Sequence, residues 1–246
     1  MLKPDVSNLV KPLGITRYKV IVAIPCYNTQ LCIAEVVTSC KKYVDEVLVI
    51  DDGSSDLTSN IAQFAGARVI RHPVNKGYGE AIKSGFAEAK SLNADILVTI
   101  DGDGQHNPDE IPCLLNQMLK QNAVICIGSR FINNDHNDMP PYRKFGNVLI
   151  NWLWNLKSKS KISDTQSGFR TYTQHVFKEM TFSEKGMGIS IEILEKVRRK
   201  NMKVTEFSIS CSYKNNNSSF TLKAVRQGLV VVFSILRMRI NSQFRK

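Results

Sequence analysis

The residues best equipped for chemistry stand where an apolar run stops. Ile96-Leu97-Val98-Thr99-Ile100 leads directly into Asp101-Gly102-Asp103-Gly104-Gln105-His106. A short apolar run bounded by turn signals reads as a buried strand of a parallel sheet, and open α/β sheets bind ligands beyond the carboxyl ends of such strands. Asp101, Asp103 and Gln105 alternate, so an extended backbone would aim three oxygen-bearing side chains the same way. Gly102 and Gly104 would leave room for a bulky group to approach the backbone. Hard oxygen ligands with open positions suit Mg²⁺ or Mn²⁺ carried in by substrate phosphates. An acidic strand-to-helix turn with an aspartate cap accounts for the same residues, and both readings stay open on this stretch alone.

The elements that position this stretch follow from the hydrophobic periods. Lys19 to Ile24, Glu46 to Ile50, Arg68 to Arg71 and Ala123 to Ile127 read as further strands. Between them Ile33, Val36, Val37 and Cys40 carry one helix, and Ile61, Ala62 and Ala65 a second with Asp56 as its N-cap. Asn75-Lys76-Gly77-Tyr78-Gly79 opens a third helix, bearing Ala81, Ile82, Gly85, Phe86 and Ala89, and Pro108 opens a fourth. This alternation implies a parallel, right-handed, doubly wound sheet. Two further strand ends, Pro25-Cys26-Tyr27-Asn28 and Asp51-Asp52, would then line the same crevice as Asp101. Acidic groups there would repel a phosphate unless a divalent cation bridged Asp103 to it, while Asp51 and Asp52 could accept hydrogen bonds from a base or ribose.

After Gly128-Ser129-Arg130 the pattern changes. Phe131 to Arg143 reads as a polar, mobile loop, and Phe145, Val148, Leu149, Trp152, Leu153 and Leu156 as one face of an amphipathic helix. Trp152 and Trp154 fall on opposite faces, one for the core. Asp164 to Arg170 is turn-rich, Ile189 to Lys200 helical, Lys203 to Ile209 a strand, and Leu222 to Ile240 a basic, apolar helix. His72, His136 and His175 show no ligand spacing, and His106 reads as a loop or cap residue. The boundaries are an extension (1–18), one domain (19–212, with halves 19–130 and 131–212) and the C-terminal helix (213–246).

At 246 residues the chain can bury a substantial core. Its net charge of +11 is uneven: Met139 to Ser163 holds five basic residues and Ser208 to Lys246 seven, with no acidic residue in either. Such segments suit anionic lipid or a phosphorylated substrate; nucleic acid is the poorest match, because no binding motif or aromatic platform accompanies them. An amphipathic helix with cationic flanks can lie on a membrane without a spanning segment, and none is expected here. The same helices would also serve a homo-oligomer contact. Six scattered cysteines without CxxC spacing, and no signal peptide, point to reduced thiols and a cytoplasmic setting.

PCYN (25–28), DDGSSD (51–56), NKGYGEAI (75–82), DGDGQH (101–106), GSR (128–130) and DTQSGFR (164–170), in this order, resemble the family 2 glycosyltransferases of A-type (GT-A) fold, near the polyprenyl-phosphate (dolichyl-phosphate) sugar synthases. The resemblance spans most of residues 19–170. It implies a Rossmann-like, mostly parallel sheet flanked by helices, and a UDP- or GDP-sugar donor contacted by Pro25, Tyr27, Asn28, Asp51, Asp52, Lys76, Gly77, Asp101, Gly102 and Asp103. It further implies Mg²⁺ or Mn²⁺ on Asp101, Asp103 and Gln105, an acceptor phosphate on Arg130 and Arg143, and a sugar pocket lined by Asp164 and Ser167. Thr29 stands where the family often has Glu, and the membrane-spanning helices that several relatives append are absent.

A polyprenyl monophosphate acceptor is largely ionised at neutral pH, its second pKa being about 6. It needs no general base, in keeping with the lack of a Ser-His pair; it needs cations, which Arg130 and Arg143 would supply. Displacement would then be in line, with inversion. A glycan hydroxyl acceptor would instead need a carboxylate base, with Asp164 and Glu192 as candidates. A nucleotidyltransferase would show a Gly-rich, Arg/Lys-bearing signature after the first strand, which PCYNTQ lacks.

Overall fold

The computed structural model describes residues 17–133, 139–156, 161–213, 228, 230–235 and 237. Most of the expected N-terminal extension, His136 and much of the helix expected over Leu222 to Ile240 lie outside these residues, as does the side chain of Arg143. The described part of that last segment is helical.

A seven-stranded sheet is built from β1 (Val20–Cys26), β2 (Glu46–Asp51), β3 (Arg68–Arg71), β4 (Ile96–Thr99), β5 (Ile125–Ser129), β6 (Arg170–Thr173) and β7 (Val204–Ser208), in the order β3-β2-β1-β4-β6-β5-β7. The helices are α1 (Ile33–Cys40), α2 (Thr58–Phe64), α3 (Tyr78–Ser91), α4 (Ile111–Lys120), α5 (Pro141–Asn155), α6 (Gln174–Phe177) and α7 (Ile189–Arg199). Alternation along the strands feeds two cores. Val20, Val22 and Ile24 of β1 pack with α1 and α4, whereas Ile21 and Ala23 pack with α3, α7 and Trp154 of α5. No helix among the described residues is long and apolar enough to cross a membrane.

The sheet is mostly parallel, with one departure from the doubly wound pattern. β6 is antiparallel to both β4 and β5, with Arg170 opposite Thr99 on one side and Ile127 on the other. This four-residue strand was hidden behind the turn-rich segment before it. Running backwards, it starts at the edge where β4 and β5 end, so the loop Asp164–Phe169 is delivered to the crevice. The Thr99 hydroxyl donates to Gly168 O at 2.7 Å and pins that delivery. A 3₁₀ turn, Pro108–Glu110, precedes α4, and α2 begins at Thr58, whose N–H is accepted by Asp56 at 3.0 Å.

Candidate active site

Asp101 and Asp103 follow the end of β4. The backbone here is a turn, not the extended run expected from the alternation: Gly104 has φ +75°, and the Asp103 carboxylate accepts from Gln105 N at 3.1 Å. Gly102 does not leave space for a ligand either. A Cβ on Gly102 would lie 2.7 Å from Cys26 Sγ, so that glycine lets the turn pack against protein, whereas Gly104 is favoured by its positive φ.

Asp101 is clamped from several sides. Tyr78, first residue of α3, offers its hydroxyl at 3.4 Å, and His106 Nε2 lies 3.7 Å away. Gly168 faces the carboxylate so closely that a Cβ there would collide with both oxygens. His106 lies in the loop after β4, as read from the sequence, and is buried there, its ring tilted against Phe169. Burial opposes ionisation of Asp101, but His106, Arg130 and Tyr78 together hold its carboxyl below the usual range. Asp103 goes the other way: burial, then the charge of Asp101, push its carboxyl up. Of the two carboxylates only Asp103 is left short of compensating charge, which a divalent cation beside it would supply. No group of three or more His, Cys, Asp or Glu side chains among the described residues could hold a metal. Gln105 is tied into this turn through its backbone, its N–H donating to Asp103 and its carbonyl accepting from Ser212 N at 2.9 Å.

At the other strand ends several polar side chains hold neighbouring loops together. Asp51 is fully buried, accepting from Ser54 N at 2.8 Å and from the Ser59 hydroxyl. Asp52, 4% exposed, accepts from Lys76 N at 2.9 Å, Gly77 N at 2.8 Å and His72 Nδ1 at 2.7 Å. Asn28, at φ 54°, receives Ser55 N on its side-chain oxygen and donates its own N–H to Ser54 Oγ. Three residues expected to touch a nucleotide thus knit together the loops after β1, β2 and β3. Tyr27 is exposed at the end of β1, and Lys76 is exposed beside Gly77. Thr29, in the position where a Glu is frequent, donates its N–H to Thr58 Oγ1 at 2.8 Å.

Two residues given separate roles from the sequence pair with each other. Arg130 grips Asp164 through Nε at 2.7 Å and Nη2 at 2.9 Å, and its Nη1 reaches the Tyr213 hydroxyl at 3.3 Å. Asp164 is fully buried; burial resists its charge, yet Arg130 keeps its carboxyl below the ordinary range. Ser167 is buried, its hydroxyl accepting from Phe169 N. Arg170, 1% exposed, staples the loop by donating to the carbonyls of Ser167, Thr165 and Ser190. Glu192 is occupied by Ser183, Glu184 N and Lys196. Tyr78 and Gly168 lay inside motifs visible in the sequence without carrying a stated role. His72 gave no local signal, because its carboxylate partner is twenty residues away.

Residues 21–184 match the family described as glycosyl transferase family 2, so the chain belongs to that family and is a glycosyltransferase. It is 30% identical over 177 residues to the UDP-N-acetylglucosamine–dolichyl-phosphate N-acetylglucosaminyltransferase of Methanococcus voltae, across 64% of this chain and 70% of that one. It is 32% identical over 200 residues to the dolichol-phosphate mannosyltransferase of Pyrococcus furiosus, across 76% of this chain and 55% of that one. The fold is similar to glucosyl-3-phosphoglycerate synthase from Mycobacterium tuberculosis, crystallised with Mn²⁺, UDP and glucosyl-3-phosphoglycerate, with a TM-score of 0.72 at 22% identity over 90% of this chain and 80% of that one.

Proposed function

We propose that this enzyme transfers a sugar, with inversion at the anomeric carbon, from a nucleoside-diphosphate sugar to a polyprenyl monophosphate at a membrane surface. The observation that carries this reading is how the carboxylates are used. Asp101 and Asp103 stand together beyond β4, whereas Asp164 and Glu192, the bases a hydroxyl acceptor would need, are taken up by protein donors. An ionised phosphate needs no base, so that arrangement favours a phosphate nucleophile over a glycan hydroxyl. The relatives named for dolichyl-phosphate acceptors support the same choice.

Asp101, Asp103 and Gln105 would hold Mg²⁺ or Mn²⁺, which supplies charge against the departing diphosphate. Tyr27 and Lys76 offer a ring and a cation to the donor at the crevice. A guanidinium has five N–H donors; Arg130 uses three on Asp164 and Tyr213, keeping two for the acceptor phosphate. Arg143, in the first turn of α5, is proposed from the sequence as a second cation for the acceptor phosphate. Asp164 acts by aiming Arg130, and Ser167 by shaping the pocket with Arg170.

Membrane contact is supported by α5. Phe145 is 72% and Trp152 57% exposed on its outer face, with Val148 and Leu149 between them, in a segment rich in Lys and Arg. A peripheral position on the cytoplasmic side accords with the six free cysteines. The test is turnover of UDP- and GDP-sugars with Mg²⁺ or Mn²⁺, with and without a short polyprenyl phosphate. Asp103→Ala should lower kcat about 10²- to 10³-fold, as loss of a charge-stabilising group does. Transfer to a glycan hydroxyl without lipid phosphate would overturn the acceptor assignment.

A further inference from the structure

His72 sits just after β3, 5% exposed, between two side chains from other elements. Its Nδ1 lies 2.7 Å from Asp52 Oδ1 and its Nε2 2.9 Å from Ser84 Oγ on α3. An ionised carboxylate only accepts, so Nδ1 bears the proton shared with Asp52. In the neutral ring, the Ser84 hydroxyl donates to Nε2 and holds that tautomer in place. Asp52 has about four acceptor positions, and His72, Lys76 N and Gly77 N fill three. Among the described residues no donor fills the fourth position, and the imidazole helps to fix the orientation of the carboxylate.

We propose that His72, backed by Ser84, is a positioning residue for the donor nucleotide. It fixes the Asp52 carboxylate, which both suspends the Lys76–Gly77 backbone at the crevice wall and presents its remaining acceptor position to a nucleobase imide N–H. This rests on the reading that the crevice binds a nucleoside diphosphate. The geometry separates His72 from a plain core residue: it bonds through both nitrogens, and its partner holds a loop beside the crevice rather than another core side chain. Uracil and guanine carry such an N–H and cytosine does not, so the relay favours UDP or GDP over CDP.

The test is nucleotide binding by calorimetry with Mn²⁺, together with steady-state kinetics on the donor. His72→Asn keeps an N–H close to the Nδ1 place, whereas His72→Gln moves it toward Nε2. Loss of the charge-assisted hydrogen bond in His72→Gln or His72→Ala should weaken UDP or GDP binding about tenfold and raise donor KM in step, with kcat within about twofold. His72→Asn should stay within about threefold of the parent, and the preference over CDP should shrink in the Ala and Gln variants only. Ser84→Ala, which removes a partly exposed hydroxyl, should weaken binding several-fold. Equal behaviour of the Asn and Gln variants, or a fall in kcat at unchanged KM, would overturn the proposal. If His72→Ala does not fold, the Asn/Gln pair and Ser84→Ala decide it. If the parent protein binds no nucleoside diphosphate, the reading of the crevice fails instead.

Discussion

Gly168 is held to glycine by the carboxylate it faces. A methyl group there would meet both oxygens of Asp101, so Gly168→Ala must push the carboxylate or the loop aside. Misplacing a reacting group by about 1 Å can cost about 10²-fold, and kcat of Gly168→Ala should fall by that order while the far-UV spectrum is unchanged. Arg130 and Asp164 give a stability prediction. Asp164 is buried with its carboxyl held below the ordinary range, so its pairing stabilises the fold above the unfolded carboxylate pKa and is lost as pH falls through the lowered folded value. Arg130→Met leaves that charge buried and unpaired, which should cost about 3–5 kcal/mol at neutral pH. The deficit against the parent should narrow on acidification as the carboxyl protonates. Urea unfolding followed from about pH 7 to well below about pH 4, the ordinary carboxylate value, reads both the size and the sign of the effect.

At the scale of elements, α5 has two faces with different duties. Trp154 is buried against the core and Ile150 beside it, so Trp154→Ala should destabilise by about 3–5 kcal/mol in denaturant unfolding. Phe145 and Trp152 project outward, and replacing either with Glu should leave unfolding unchanged within about 0.5 kcal/mol. Binding to anionic vesicles should drop about tenfold for each, following the transfer free energy of a large apolar side chain. Sedimentation with vesicles tests this directly; unchanged binding in both variants would remove α5 from the membrane contact. The same helix was readable from its period, whereas β6 was not. Four residues behind a turn-rich loop carry too little pattern, and the neighbours that make them a strand are β4 and β5, distant in sequence.

For the molecule as a whole, donor, metal and fold should be linked. A nucleoside diphosphate with Mn²⁺ binds only the folded chain, so at a hundred times its dissociation constant it should add about 2.7 kcal/mol of stability and raise Tm. On the proposed metal site, chelation should abolish that rise, and so should Asp103→Ala, because Asp103 would be one of the ion's ligands. A rise that persists in chelator would mean that the diphosphate is held without the metal.

The sequence alone determined the alternating β and α elements, the strand ends that share one edge of the sheet and the family. These are local properties, set by side-chain period, turn residues and short motifs. What each residue does at that edge was decided by tertiary structure. Asp52 has a use only because His72, Lys76 and Gly77 converge on it, and Asp164 only because β6 runs backwards and lays its loop beside Arg130. A carboxylate reads the same in any sequence. Its neighbours, supplied by strands and loops far along the chain, fix whether it stays available to a ligand or is spoken for by the protein.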